Sequence, residues 1–171
     1  MERSNLWAPW RIPYIRDIGK TDGCFLCHNL AHPEDDAENL VLWRAPHSLV
    51  VLNRFPYNNG HLLIAPNRHI ATLEETSEGE MLELMTLIRE SQRALSLAIR
   101  PVGFNVGLNF GRCAGAGLPG HMHIHVVPRW DGDTNFMGVC SDTRVISQSL
   151  IDLLAELKQV SEKHSLPGLR S

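Results

Sequence analysis

The sequence predicts an α+β domain: a five-stranded antiparallel sheet covered by two main helices. Three observations carry that expectation. Short apolar runs recur between turn signals, only two segments hold a helical repeat, and the strand-like runs follow one another mostly through short turns. A doubly wound parallel sheet would need helices alternating with strands, and this chain does not supply them.

The elements read in order. Residues 1–22 form an arm rich in Trp, Arg and Pro. Trp7, Pro9, Trp10 and Pro13 argue against a continuous helix there, and so many aromatics imply packing against a surface of this subunit or a partner's. Residues 23–171 are read as one domain. Asn39–Trp43 and Ser48–Asn53 are apolar and end in turn residues. Arg54–Gly60 is a turn, marked by Pro56 and the Asn59-Gly60 pair. His61–Ala65 is a third strand, stopped by Pro66. Ser77–Ile99 reads as a helix, with a Ser77/Glu80 capping box at its start and Pro101 beyond its end. Its Met81, Leu84, Met85, Ile88, Leu95 and Ala98 recur at helical spacing. Phe104–Phe110 is a fourth strand, Gly111–Gly120 a glycine-rich loop and His121–Pro128 a fifth strand. Val145–Val160 is a second amphipathic helix, with Ile146, Leu150, Leu153, Leu154 and Leu157 inward.

Composition narrows the function classes. The 171 residues suit one globular domain large enough to hold a core without disulfides. Sixteen Lys and Arg against nineteen Asp and Glu give a net charge of −3, so no basic field for nucleic acid is expected. No apolar run approaches the ~20 residues of a membrane span. The N-terminus has no apolar leader core, so its four Cys are expected as reduced thiols or metal ligands in the cytoplasm.

Nine His is a high count, and three of them fall in Gly120-His121-Met122-His123-Ile124-His125-Val126-Val127-Pro128. On a strand, His121, His123 and His125 share one face, while Met122, Ile124 and Val126 share the other. Three imidazoles along a cleft about 13 Å long, at ~3.3 Å per residue, can bind metal or act near neutral pH. The preceding loop, Gly111 to Gly120, lets backbone approach an anion closely. Its Gly115-x-Gly117-x-x-Gly120 spacing imitates a dinucleotide fingerprint, but a proline and a strand follow where that fingerprint needs a helix.

With these residues in view, the chain resembles the histidine triad (HIT) superfamily of nucleotide hydrolases and nucleotidyltransferases. The resemblance runs from about Gly23 to Asp133. It includes Leu52-Asn53, the Gly60–Pro66 strand and the Asn105–Asn109 strand. Leu6-Trp7-Ala8-Pro9-Trp10-Arg11 and Pro128-Arg129-Trp130-Asp131-Gly132-Asp133 are similar to the diadenosine tetraphosphate phosphorylase or hydrolase branch. The resemblance implies cleavage of a dinucleoside polyphosphate at the α-phosphorus through a nucleotidyl-histidine intermediate. His123 is then the nucleophile and His125 a contact to the transferring phosphate. Asn53 would meet the ribose, Asn109 the phosphates, and Gly115 and Gly117 the non-bridging oxygens. The physics is consistent, because a neutral imidazole is nucleophilic at pH 7 once a hydrogen bond from its other ring nitrogen, expected to a backbone carbonyl, fixes its tautomer. Alternatives within reach are a nucleoside phosphoramidate hydrolase, a zinc-dependent hydrolase and a non-catalytic nucleotide-binding regulatory module. A homodimer with its sheets joined is also implied.

Cys24-Phe25-Leu26-Cys27 is a C-x-x-C pair with no thioredoxin-like βαβ unit around it. Zinc needs two more ligands. In zinc-bearing members of the superfamily these are a His after the Pro-ending strand and the first His of the triad, which here are His69 and His121. The resemblance therefore implies a structural Zn²⁺ held by Cys24, Cys27, His69 and His121, with no metal required for the chemistry. Cys113 and Cys140 are read as free thiols, and His28, His32, His47, His61 and His164 as ordinary surface or turn residues.

Overall fold

The computed structural model describes residues 23–133 and 145–169. The arm 1–22 lies outside the described residues, as do residues 134–144, Cys140 among them. Five strands make one sheet: β1 (Val41–Arg44), β2 (Ser48–Leu52), β3 (Leu62–Pro66), β4 (Gly103–Leu108) and β5 (Ile124–Arg129). The spatial order is β1-β2-β3-β5-β4, and every pairing is antiparallel. The fold class read from the sequence is therefore the one observed. Pro66 and Pro128 sit in this sheet without breaking it. The β3–β5 ladder covers only Leu62–Ile64 against Ile124–Val126, so each proline is paired on one side alone, where its missing N–H breaks no β3–β5 bond.

Three helices flank the sheet: α1 (Phe25–Ala31), α2 (Glu78–Ala98) and α3 (Leu150–His164). The α2 start is as expected. Ser77 Oγ accepts the Glu80 N–H while Glu80 accepts the Ser77 N–H, and the helix ends ahead of Arg100, whose φ is 48°. Two expectations need correction. The last helix begins at Leu150, not Val145, because Ser149 caps it by accepting the Asp152 N–H; it runs on to His164. The short helix α1, which opens at Cys24, was not expected. Seven residues are too few to show a helical repeat, and the burial of Leu26 holds this one in place.

The sheet has a core on each face. Trp43, Val50, Leu52, Leu62, Ile64, Met122, Ile124 and Val126 pack with Leu84, Leu87, Leu95, Leu153 and Leu157 of α2 and α3. The other face holds Val41, Leu49, Val51, Leu63 and Ala65 against Leu26 of α1. Gly60, just before β3, has φ +76°, and a Cβ there would stand 2.7 Å from Ile99 Cδ1. No helix among the described residues is long and apolar enough to cross a membrane.

Candidate active site and metal centre

The histidine segment enters the sheet late. Pairing of β5 begins at Ile124, and ahead of it Met122 N–H donates to Ile70 C=O at 2.7 Å. Met122, Ile124 and Val126 lie in the main core, as the alternation required. The three imidazoles do not form one row. The ring of His121 is fully buried and turns to one side, while His123 and His125 keep their rings 5.0 Å apart at 65°.

His121 Nε2 donates to Pro66 C=O at 2.8 Å, because a carbonyl can only accept. The Nδ1 lone pair then faces Cys24 Sγ at 3.1 Å and Cys27 Sγ at 3.5 Å. His69 Nδ1 lies 3.2 Å from Cys27 Sγ. One donor atom from each of Cys24, Cys27, His69 and His121 lies within 4.8 Å of every other. Ligands about 2.0–2.3 Å from a tetrahedral ion stand roughly 3.3–3.8 Å from one another, so the four donors suit such an ion. The bond from His121 to Pro66 supplies the outer partner that fixes a ligating imidazole. Burial pushes the Cys24 thiol up, so binding a cation there releases a proton.

His123 is half-buried, and its Nδ1 donates to His121 C=O at 2.9 Å. This is the carbonyl bond expected from sequence. It leaves the lone pair on Nε2. His125 is held through a fourth histidine. His61 Nδ1 accepts from Tyr57 N–H at 3.1 Å and lies 3.2 Å from Asn53 Nδ2. The proton of His61 is therefore on Nε2, which donates to His125 Nδ1 at 2.9 Å. His125 in turn carries its proton on Nε2. Burial, reinforced by the neighbouring histidines, pushes His61 down to about 3 and His125 down to about 4, so both are neutral at pH 7. The Tyr57 ring lies 4.7 Å from that of His61 and 5.7 Å from that of His125.

His61 was read as an ordinary turn residue, which the structure corrects: it is fully buried and bonded to His125. Its signal was its place ahead of β3, in step with Leu63. That signal becomes informative only once β3 is known to pair with β5, with Leu63 opposite His125. Asn53 stands beside His61, and its Oδ1 also accepts the Phe55 N–H. Asn109 Nδ2 stands 3.4 Å from His125 Nε2. These are two donors facing each other, an arrangement that one shared anionic oxygen would satisfy.

The glycine loop folds as a tight turn. Gly115 N–H donates to Arg112 C=O at 3.0 Å, and Ala116 N–H to Gly111 C=O at 3.2 Å. The turn uses these two amides itself. Gly117 has open space around it. Cys113 is exposed and free, and His28 and His47 are exposed, as read.

Comparison with known proteins adds the following. A family model described as HIT domain matches residues 34–132. The chain is 39% identical over 153 residues to a Mycobacterium tuberculosis protein named AP-4-A phosphorylase, covering 86% of this chain and 78% of that one. It is 30% identical over 93 residues to the asymmetrical bis(5'-nucleosyl)-tetraphosphatase of Schizosaccharomyces pombe, covering 54% and 50%. Among solved structures, a Zn-bound histidine triad family protein from Mycobacterium smegmatis superposes with a TM-score of 0.65 at 23% identity, covering 81% of this chain and 95% of that one.

Proposed function

The chain belongs to the HIT domain family, and from that premise we propose that it cleaves dinucleoside polyphosphates at the α-phosphorus through a nucleotidyl group carried on His123. The observation that carries this reading is the 2.9 Å bond from His123 Nδ1 to the His121 carbonyl. It commits Nδ1 to donation and leaves the lone pair for attack on Nε2.

The Nε2 lone pair forms a bond to the α-phosphorus as the bridging P–O bond breaks, and the departing nucleotide takes the electron pair. Charge on the non-bridging oxygens is met by the His125 Nε2–H and the Asn109 amide, two donors already turned toward one spot. Gly117 and its neighbours supply close backbone approach, and Asn53 the ribose contact. Water or inorganic phosphate then attacks phosphorus and frees His123. The relative named AP-4-A phosphorylase supports phosphate as the second acceptor.

Cys24, Cys27, His69 and His121 hold a structural Zn²⁺ in this reading; bound there, it cross-links α1 to the segment ahead of β5. The donor set and its spacing support this, as does the Zn-bound relative in fold. The need for reduced Cys24 and Cys27 supports a cytoplasmic location. The edge strand β4, with Val106 exposed, supports a homodimer joined along that edge.

The test is product analysis from diadenosine tetraphosphate with and without inorganic phosphate, alongside His123→Ala. Phosphate-dependent release of adenosine diphosphate marks phosphorolysis, and a mono- plus triphosphate pair marks hydrolysis. His123→Ala should fold and show no turnover; near-native turnover would refute the assignment.

A further inference from the structure

The nucleophile and the four-ligand centre meet in one residue. His121 sends its ring into the cysteine cluster and its carbonyl to His123, while the residue before it, Gly120, lies against the other ring of the centre. We propose that His121 and Gly120 are positioning residues, through which closure of the four ligands sets the tautomer and orientation of the His123 ring. The proposal rests on the reading of His123 as nucleophile.

The sheet does not hold this carbonyl. Pairing of β5 starts at Ile124, so residues 121–123 lie ahead of the ladder. What fixes His121 is its side chain, held by Pro66 C=O on Nε2 and by Cys24 and Cys27 around Nδ1, together with the Met122 N–H of the same peptide unit, which donates at 2.7 Å to Ile70 C=O beside His69, and a longer bond from the His121 N–H to Leu118 C=O at 3.4 Å. If His121 and His69 lose their places together, both the ring of His121 and the Ile70 carbonyl that holds the 121–122 peptide are released, the His121 carbonyl can turn, and His123 can exchange its proton between nitrogens. The lone pair then spends part of its time on the wrong atom.

Gly120 is not required by its backbone, which has no left-handed φ. It is required by a neighbour: a Cβ there would stand 3.3 Å from His69 Nε2 and 3.9 Å from His69 Cε1. An alanine would make the His69 ring, whose Nδ1 meets the cluster, give by a few tenths of an ångström. The smallest side chain at 120 thus lets His69 and His121 close on a common centre.

The experiment compares the full chain loaded with Zn²⁺ and stripped by a chelator under reducing conditions. Long-range ¹H–¹⁵N spectra report the imidazole tautomers, with the His123 signal identified by its loss in His123→Ala. The loaded chain should show His123 as a single Nδ1–H tautomer. The stripped chain should show mixed tautomers, and nucleotidyl-His123 should form about tenfold or more slowly from diadenosine tetraphosphate. A stripped, folded chain with the same single tautomer and the same adduct rate overturns the proposal. Should stripping unfold the chain, Gly120→Ala loaded with Zn²⁺ decides. It should keep its metal and lower kcat about tenfold with KM little changed. Adding His69→Cys, a smaller ligand for the same ion, should restore kcat to that of His69→Cys alone. Unchanged kcat in a metal-loaded Gly120→Ala overturns the proposal. Failure of the loaded native chain to form any adduct on His123 instead removes the underlying reading, so the two failures are distinguishable.

Discussion

His61 Nε2 donates to His125 Nδ1 across 2.9 Å, and that bond decides which nitrogen His125 offers to a ligand. The direction is set from behind, since His61 Nδ1 already receives the Tyr57 N–H. His125 is thereby left with an Nε2–H next to His123. One imidazole presents a lone pair and its neighbour presents a proton, the division of labour that the proposed attack on phosphorus requires.

His61→Ala should therefore lower kcat by on the order of a hundredfold, the scale of losing a correctly placed proton donor, although His61 touches no substrate in this reading. KM should move less. Steady-state kinetics with the His125 tautomer read by NMR checks this. Activity within a few-fold of native, with the His125 tautomer unchanged, would show that His61 only fills space.

The same pair should make the fold acid-sensitive in a defined window. His61 is pushed down to about 3 and His125 to about 4, while the unfolded chain's imidazoles titrate near ~6.5. Between these limits the unfolded state binds protons that the native state refuses. Stability is therefore full above the unfolded value and falls as pH drops from about 6.5 toward 3–4. Urea midpoints across this range should decline in the native chain and decline less steeply in His61→Gln. Equal slopes would contradict the buried neutral assignment.

Much of this was legible in the sequence, and the omissions have physical reasons. The turn-bounded apolar runs, the Ser77/Glu80 box and the alternation of Met122, Ile124 and Val126 are local signals, and the structure honours them. His61 was misread because its role depends on β3 lying beside β5, a non-local fact. The departure of His121 from the row of its two neighbours was implied only by the metal-ligand resemblance. Alternation alone describes a ladder, and residues 121–123 precede it. That the Gly115 amide bonds within its own turn was not legible, because glycine content reveals freedom of backbone, not the direction in which an N–H points.

Glu80 joins the α2 start to the metal segment. It receives Arg68 Nε and Nη2, each at 2.7 Å, together with the Ser77 N–H at 2.7 Å; these bonds, that to Arg68 first, hold its carboxyl down to about 2. Arg68 adjoins His69. Its contribution is thus present above the unfolded carboxyl value of about 4.3 and lost as pH falls toward 2. Glu80→Gln should cost roughly 1–2 kcal/mol at pH 7, by analogy with a lost cap and a lost charge-assisted bond, and less at pH 3. Zinc affinity should fall as well. A deficit independent of pH would mean that the cap alone matters and the charge does not.

Gly60 offers the sharpest steric test. Its φ of +76° disfavours any side chain, and the space a Cβ would take is occupied by Ile99 Cδ1 at 2.7 Å, Leu95 Cδ2 at 2.9 Å and Pro128 Cγ at 3.1 Å. Both strain and overlap therefore oppose Gly60→Ala, and relief of one does not relieve the other. The expected cost is about 2–4 kcal/mol, combining an unfavourable backbone conformation with an overpacked core. The displacement also begins one residue from His61, so the variant should lose kcat beyond what its residual folded fraction explains. Urea unfolding gives the first number, and activity measured well below the midpoint gives the second. A folded Gly60→Ala with native kcat would show that β3 can shift its entry without disturbing the bond between His61 and His125, and that this relay is looser than its 2.9 Å geometry implies.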